Sequence, residues 1–285
     1  MASAAIPTPD GPIDAYAHPT LENILHLEQV EEDIFRGRSP HRERVRVFGG
    51  QVAAQSIRAA QATVSGDEHH LHSMHAYFLR GGDWRHPILY RVDRIRDGRS
   101  FTTRRVVAIQ YGEAIFNLEA SFQKDEAGLE FSQPMYDVAM SPDDVDQDGF
   151  AGLIDSREIP PEWIPDDVGP ARWIWFRAAE PIPTDRDFQE ATLIYASDHG
   201  PMGAMRNAHL GDDRLHRMMG ASLDHLVWLH REVDMTQWHF YDLRASSNFG
   251  ARGLAHGSIH RADGTLVATT TQEGLIRPWR ERSKR

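Results

Sequence analysis

A carboxylate stands near the end of an apolar, helix-like run in the second half of the chain. The run FQEATLIYASDHGPMGAM covers residues 188–205, and Asp198 comes just before Gly200 and Pro201. The helix dipole disfavours a carboxylate late in a helix, and burial would disfavour its charge further, so both effects would raise the basicity of Asp198. Two interpretations are open: Asp198 caps a short helix that begins at Pro201, or it is a catalytic base.

Common protein nucleophiles are missing from the sequence. It contains no cysteine, which excludes a thiol nucleophile, a disulfide framework and a cysteine-ligated metal. It also lacks the G-x-S-x-G elbow that presents a nucleophilic serine in many hydrolases. For a hydrolytic reaction, a water molecule deprotonated by a carboxylate is therefore the simplest mechanism.

Two runs resemble metal-binding motifs without completing them. In HLHSMH, residues 70–75, Met74 stands where a metallo-hydrolase motif needs an aspartate. The run DVDQDGFAGLID, residues 144–155, begins like a calcium loop but ends on Asp155, where a bidentate glutamate is expected. Pro142 would also break the entering helix. We expect no metal site.

Length and composition are those of an ordinary globular protein. The 285 residues are 40% hydrophobic and 26% charged, which suits one large domain or two of ordinary size. The net charge of −11 argues against nonspecific nucleic-acid binding, although a local basic patch could hold a small anion. No apolar run reaches the ~18 residues of a membrane-spanning helix. Residues 1–19 lack the features of a signal peptide, and we expect a flexible arm there.

Two segments of the chain, residues 20–123 and 170–280, share one order of predicted elements. Each has a helix pattern, at 49–64 and at 187–197, followed by four strand patterns. HAYFL from His75 aligns with HLVWL from His225, 150 positions later, and Tyr90 matches Tyr241. The segment between them, residues 124–169, is rich in proline and aspartate and reads as a linker. The pattern predicts an α+β fold with two units, each an antiparallel sheet wrapped around one long helix.

Six ordered stretches resemble the type II acyl-CoA thioesterases. They cover nearly the whole chain after the arm: RVFGGQVAAQSI, HSMHAYFLRGGD, RIRDGRSFTTRRVVAIQ, YASD, LDHLVWLHR and TTTQEGLIR. The resemblance implies a double hotdog fold and hydrolysis of fatty acyl-CoA to a free fatty acid and coenzyme A. It implies no metal and no organic cofactor, and a homo-oligomer, a dimer or larger. We also expect a cytoplasmic location.

The family's catalytic residues fall on three positions of the second unit. Its aspartate matches Asp198, its glutamine matches Gln272, and its threonine matches Ser222, which is a departure. Serine keeps the hydroxyl group and loses the methyl group, so we expect activity to survive. Gly49 and Gly50, at the start of the first helix, are candidates for substrate binding, because their amides could polarise the thioester carbonyl.

Two alternative functions stay open at this stage. Hotdog enoyl-CoA hydratases carry a D-x-N-P-x-H run that resembles the sequence from Asp198 to Gly203. Gly200 and Gly203 replace its asparagine and second histidine, so the acid/base partner for hydration is missing at that spacing. The change to Ser222 also leaves open a noncatalytic acyl-CoA-binding protein. The hairpin RVDRIRDGRSFTTRR, residues 91–105, carries six arginines that either bind the coenzyme A phosphates or form a solvated sheet face.

Overall fold

The computed structural model describes residues 19–40, 46–66, 68–138, 140–146 and 152–278. The expected N-terminal arm lies outside the described residues except for its last position, and so does the middle of the acidic run at 144–155. None of the helices in the described ranges is long and apolar enough to cross a bilayer.

The first unit consists of helices and an antiparallel sheet. Its elements are α1 (Leu21–Leu25), β1 (Glu28–Glu31), β2 (Ile34–Gly37), α2 (Gly49–Gln61), β3 (His69–Phe78), β4 (Ile88–Asp97), β5 (Phe101–Gln110) and β6 (Glu113–Lys124). The main helix, α2, packs against β2 to β6. The hairpin between β5 and β6 turns at Tyr111 and Gly112, whose φ angles of 54° and 77° give the two left-handed positions that a tight two-residue turn needs.

The second unit repeats the order of a main helix followed by strands, with one additional short helix and one additional strand. Its elements are β7 (Ile154–Ile159), β8 (Ala171–Ala178), α3 (Arg186–Ser197), α4 (Pro201–Asn207), β9 (Met218–Ser222), β10 (Asp224–Leu229), β11 (His239–Phe249), β12 (Arg252–Arg261) and β13 (Leu266–Pro278). The helix expected at 187–197 is α3, and after the break at Gly200 the chain forms the short α4. The first of the four strand patterns after this helix, ASLDHLVWLHR at residues 221–231, forms two strands, β9 and β10, which pair separately with β13.

One antiparallel sheet runs through both units. Its strand order is β1-β2-β4-β5-β6-β3-β10-β13-β12-β11-β8-β7. The units join where β3 pairs with β10, with His75 opposite Leu226. Helices α2 and α3 pack against each other and run in opposite directions. A hydrogen bond shows this direction: Gln61 at the end of α2 donates to the Asp187 carbonyl at the start of α3, at 3.1 Å. The expected α+β class with two units is confirmed.

The directions of the side chains show that the 150-residue spacing between the repeats is one residue too short on β3 and β10. His75 is exposed on the outer face of β3, whereas His225 is fully buried on the inner face of β10. The match of His75 with His225 is therefore wrong, because a shift of one residue moves a strand side chain to the opposite face. Tyr90 and Tyr241, 151 positions apart, are both fully buried. With that spacing, the residue of the first unit equivalent to His225 is Met74, which is also buried.

Small side chains allow α2 to be surrounded on nearly all sides. One face of the helix pattern at 49–64 is buried and consists of small or short side chains: Val52, Ser56, Ala59, Ala60 and Thr63. Gly50 is the tightest point, since a Cβ there would lie 2.3 Å from the Tyr195 carbonyl oxygen of α3. The glycine thus lets the two helices cross closely.

The segment from 124 to 169 contains a strand that its weak periodicity did not reveal. β7 pairs with β8 at the edge of the sheet. The described part of the segment also covers the outer face of the second unit, where a separate apolar cluster forms from Trp173, Trp175 and Phe240 with Met135, Tyr136, Val138 and Met140. Irregular chain with well-spaced apolar residues can therefore complete a core without a helical or strand period.

The arginine-rich hairpin serves partly as internal structure. Arg104 is fully buried, donates to Thr63 Oγ1 at 2.8 Å and to the Thr63 carbonyl at 3.0 Å, and pairs with Asp97. It therefore ties the chain after α2 to the sheet and cannot reach a phosphate outside. Arg94 pairs with Asp33 at 2.9 Å.

We predict that Arg104→Ala lowers the free energy of unfolding by about 2–4 kcal/mol, because it leaves buried acceptors without their donor. Arg91→Ala on the same hairpin is the matched control, since its side chain is 55% exposed, and its change should stay within about 0.5 kcal/mol. Urea denaturation of both variants measures the difference. Equal stability of the two variants would contradict the structural role of Arg104.

Candidate active site

The structure brings the three predicted catalytic positions together. Asp198 is the C-cap of α3, Ser222 ends β9, and Gln272 lies on the inner face of β13. Gln272 Nε2 donates to Ser222 Oγ at 2.8 Å. Both side chains are close enough to Asp198 to lower its pKa by hydrogen bonding. Residues that are up to 74 positions apart in the chain thus form one polar cluster.

Asp198 does not cap the short helix that follows it. The N-cap of α4 is Gly200, and that helix has no side-chain capping hydrogen bond. Gly200 has a φ angle of 130°, and a Cβ there would lie 2.5 Å from Leu243 Cδ1. Glycine is therefore required to end α3 sharply, and the break leaves Asp198 at the helix end with its carboxylate directed across to the first unit.

The carboxylate of Asp198 lies on the first turn of α2. A Cβ on Gly49 would be 2.7 Å from Asp198 Oδ2 and equally close to a ring carbon of Phe78. The Gly50 amide also lowers the pKa of Asp198 by hydrogen bonding. The N-terminus of a helix favours an anion, so α2 partly offsets the unfavourable end of α3. Both predicted glycines therefore belong to this cluster.

Burial dominates the electrostatics of Asp198. It raises the pKa of the carboxyl group to about 7, against the opposing hydrogen bonds of Gly50, Gln272 and Ser222. The residue keeps some exposure, but Oδ1 has no accessible surface and no hydrogen-bond partner among the described residues. A carboxylate with a pKa near neutrality can both take and return a proton at pH 7.

A cavity of about 420 Å³ opens next to the cluster, between the two units. Asp198, Gly49 and Ser222 lie in its wall. Most of the remaining wall is apolar and includes Val52, Phe78, Ile115, Phe116, Leu223 and Leu275. Arg46 and Arg80 also line it. The cavity thus combines an ionisable group, an apolar surface and two cations.

Sequence reasoning missed a second row of polar residues behind the cluster. His225 is fully buried in β10, and its Nε2 lies 2.8 Å from Ser197 Oγ. Tyr241 donates its hydroxyl to the Ser197 carbonyl at 3.0 Å and lies 2.7 Å from Thr270 Oγ1. The alternation of buried residues along β10, in which His225 lies on the inner face, is the signal that identifies this histidine. The match of His225 with the exposed His75 assigned it to the wrong face.

The first unit lacks polar counterparts of Asp198, Ser222 and Gln272 at the equivalent positions. The C-cap of α2 is Ala62, where α3 has Asp198. On the strands, Leu71 takes the place of Ser222: Leu71 pairs with Phe122, as Ser222 pairs with Gly274. Ala120 takes the place of Gln272. The duplication therefore provides one cluster of this composition, assembled from both units.

No three histidine, aspartate or glutamate side chains are grouped to hold a metal ion within the described ranges. His70 and His72 of the run at 70–75 lie in β3, and the calcium-like run is only partly described. The expectation that the protein needs no metal stays a prediction.

Two family models match the two units. One is described as the N-terminal domain of acyl-CoA thioesterase and matches residues 38–123, and the other as acyl-CoA thioesterase, matching residues 158–275. Acyl-CoA thioesterase 2 of Haemophilus influenzae is 35% identical, over 90% of this chain and 98% of that protein. Acyl-coenzyme A thioesterase 8 of Homo sapiens is 34% identical, over 89% of this chain and 88% of that protein.

Solved structures agree with the architecture. The acyl-CoA thioesterase II TesB2 of Mycobacterium marinum superposes with a TM-score of 0.83 at 39% identity, over 91% of this chain and 98% of that chain. A hot dog fold protein of Alicyclobacillus acidocaldarius gives a TM-score of 0.75 at 18% identity, over 91% of this chain and 98% of that chain. The double hotdog that the sequence resemblance implied is confirmed as the fold.

We predict that Asp198→Asn stabilises the protein at high pH. The folded-state pKa of about 7 exceeds the ordinary value of 3.8, so ionisation costs folding free energy above pH 4, and the whole cost is present above pH 7. The free energy of unfolding of the variant should exceed that of the wild type by about 2–4 kcal/mol at pH 8. The difference should shrink toward zero near pH 4. Denaturant titrations across this range measure it.

Asp166→Asn is the control for that experiment, because Asp166 is exposed at the start of a short 3-10 helix and is not part of the cluster. Its stability difference from wild type should be the same at both ends of the pH range. A pH-independent difference for Asp198→Asn would show that the carboxylate is not destabilised by burial.

Proposed function

The chain belongs to the acyl-CoA thioesterase family, and we propose that it hydrolyses fatty acyl-CoA thioesters to a free fatty acid and coenzyme A. The observation that carries the proposal is a carboxylate with a pKa of about 7, held between a hydroxyl and an amide at the wall of a cavity lined mainly by apolar side chains. Both the chemistry of the cluster and the shape of its surroundings suit a neutral acyl chain next to an activated water.

Asp198 acts as the general base in this proposal. It takes a proton from a water molecule while the water oxygen bonds to the thioester carbonyl carbon. When the carbon–sulfur bond then breaks, the proton returns to the coenzyme A thiolate, so Asp198 ends as a carboxylate again. The raised pKa supports this role, because a base that titrates near the working pH combines ionisation with strong proton affinity.

Ser222 and Gln272 hold the attacking water against Asp198. Gln272 donates to Ser222 Oγ, so the serine proton is free to point toward the carboxylate or the water. This hydrogen bond also supports retention of function after the change from threonine, since the hydroxyl that matters is in place. The lost methyl group contributed packing and rotamer restriction rather than a donor.

The start of α2 stabilises the negative charge on the carbonyl oxygen. Gly49 and Gly50 have no side chains to block the approach to their amides, and Gly49 lies in the cavity wall. The Gly50 amide already contributes to Asp198, so Gly49 is the better placed of the two for the substrate. Backbone donors at a helix start are suited to a developing oxyanion.

The alternatives are less well supported. Hydration of an enoyl-CoA needs a second acid/base group, and Gly203 stands at the position of the histidine that would supply it, with Gly200 in place of the asparagine. Gly203 lies against the Arg172 side chain, which a Cβ would approach to 2.6 Å, and arginine does not exchange protons at neutral pH. A noncatalytic binder would have no use for a buried carboxylate that costs folding free energy.

We further propose that the protein works in the cytoplasm as a homo-oligomer, a dimer or larger. The cysteine-free sequence fits a reducing compartment. The outer face of the sheet exposes Tyr77 and Leu89 in the first unit, with 60% and 39% of their surfaces accessible. In the second unit, the described part of the segment before β7 covers that face. Light scattering after size exclusion tests the assembly, and a monomer at micromolar concentration would contradict it.

We predict that Asp198→Asn lowers the rate of thiol release from acyl-CoA by about 10²–10⁴-fold, because the general base is lost. In the wild type, kcat/KM should rise with pH and reach a plateau, with its midpoint about 7, as the carboxyl group ionises. A thiol reagent active on both sides of pH 7 provides the measurement. Unchanged turnover in the variant would remove Asp198 from the mechanism, and loss of enone absorbance without thiol release would favour the hydratase.

We also predict opposite outcomes for two substitutions at one position. Ser222→Ala should lower kcat by about 10–100-fold, since the water loses a hydrogen-bonding partner. Ser222→Thr should stay within about fivefold of wild type, because it restores the family's hydroxyl with its methyl group. Steady-state kinetics with one acyl-CoA compare the two. Equal rates for both variants would show that the hydroxyl has no part in catalysis.

A further inference from the structure

His225 and Gln272 face each other with one polar atom each left without a partner. The pairing of Leu226 with Thr271 makes His225 and Gln272 neighbours on the inner face of β10 and β13. Both are fully buried. His225 Nε2 contacts Ser197 Oγ, and Gln272 Nε2 donates to Ser222 Oγ. The other polar atoms of the two side chains are His225 Nδ1 and Gln272 Oε1. Neither atom has accessible surface or a hydrogen-bond partner in the described part of the chain.

We propose that His225 is a positioning residue that orients the Gln272 side chain by donating its Nδ1 proton to Gln272 Oε1. The amide nitrogen of Gln272 then faces Ser222 and Asp198, which is the orientation that the reaction requires. This inference rests on the proposed hydrolysis, because it assigns Gln272 the task of holding water and base.

Donor and acceptor capacities select this arrangement. With the proton on Nδ1, Ser197 donates to His225 Nε2 instead of to the Ile194 carbonyl, which lies 3.0 Å from Ser197 Oγ. His225 then donates to Oε1, and the Gln272 amide has hydrogens for Ser222 and for the carboxylate. With the proton on Nε2 instead, Gln272 would have to turn over and donate to Nδ1, and its oxygen would face Asp198. An ionised carboxylate only accepts hydrogen bonds, so it disfavours that second arrangement.

The end of α3 fixes the histidine and the base together. Ser197, which contacts His225, directly precedes Asp198, and its carbonyl accepts the hydroxyl proton of Tyr241 at 3.0 Å. Burial lowers the pKa of His225 to about 4, against a smaller opposing effect of Gln272. The imidazole therefore stays neutral at the pH where Asp198 titrates, which suits an orienting donor and not a proton shuttle.

The first unit provides an internal comparison. The positions equivalent to His225 and Gln272 there are Met74 and Ala120, which pair directly across β3 and β6. Both are buried and apolar. The inner faces of these strands therefore do not need a histidine for packing, and the polar pair occurs in the unit that also carries Asp198.

Two substitutions at position 225 separate orientation from packing. Asparagine places its amide nitrogen near the site of Nδ1 and can still donate to Gln272, whereas glutamine reaches toward Ser197 and cannot. His225→Gln should lower kcat by about 10–100-fold with little change in KM, and His225→Asn should stay within about fivefold. His75→Gln on the exposed face of β3 is the matched control and should behave as wild type.

The pH profile provides the second measurement. Without an oriented Gln272, Asp198 loses a hydrogen bond that lowers its pKa, so the acid limb of kcat/KM should move to higher pH in His225→Gln and stay in place in His225→Asn. Nitrogen-15 NMR of the labelled wild type at pH 7 should show His225 protonated at Nδ1.

Three results would overturn the proposal. The first is a wild-type kcat and pH profile in His225→Gln. The second is an equal loss of kcat in His225→Gln and His225→Asn, together with a raised KM and lower thermal stability, and the third is a His225 proton on Nε2 in the wild type. Absence of thiol release by the wild type on every acyl-CoA would instead refute the proposed function, and the NMR measurement would still decide the tautomer.

Discussion

The burial of one carboxylate where two helices meet is the constraint on which the rest of this structure depends. Asp198 closes α3 and lies on the first turn of α2, so its neighbours must leave room for it and supply donors to it. Gly49 leaves the room, and the Gly50 amide, Gln272 and Ser222 supply the donors. Because these opposing hydrogen bonds are weaker than the cost of burial, the pKa stays near 7. In the proposed mechanism, the same imbalance that destabilises the fold supplies the base at neutral pH.

Duplication explains why the site needs both halves of the chain. The antiparallel crossing of α2 and α3 places the start of each helix near the end of the other, so two equivalent junctions exist. One junction has Asp198 with polar strand residues, whereas the other has Ala62, Leu71 and Ala120 at the corresponding positions. Once the two units are joined in one chain, each junction can change its residues independently. A pair of identical subunits could not specialise one junction in this way.

The parts of the fold that follow from local periodicity were predictable. The strand at 101–110, the helix that begins at Gly49 and the turn at Tyr111 and Gly112 all agree with the structure, because apolar spacing and turn residues act over a few positions. Prediction was weaker where neighbours distant in sequence decide. β7 has no strong alternation and exists because β8 offers it an edge. Arg104 reads as a surface charge but is buried, because Thr63 accepts its hydrogens.

The sequence by itself determined the family resemblance, the duplicated order of elements and the identities of Asp198, Ser222 and Gln272 as candidates, since these depend on residue types and their order along the chain. Only the tertiary structure decided which way each side chain points. His75 and His225 look alike in sequence, yet one is exposed and the other is fully buried, because strand phase is set by pairing across the sheet. The approach of Asp198 to Gly49 and Gly50 likewise arises from the helix crossing, a contact between segments about 150 residues apart.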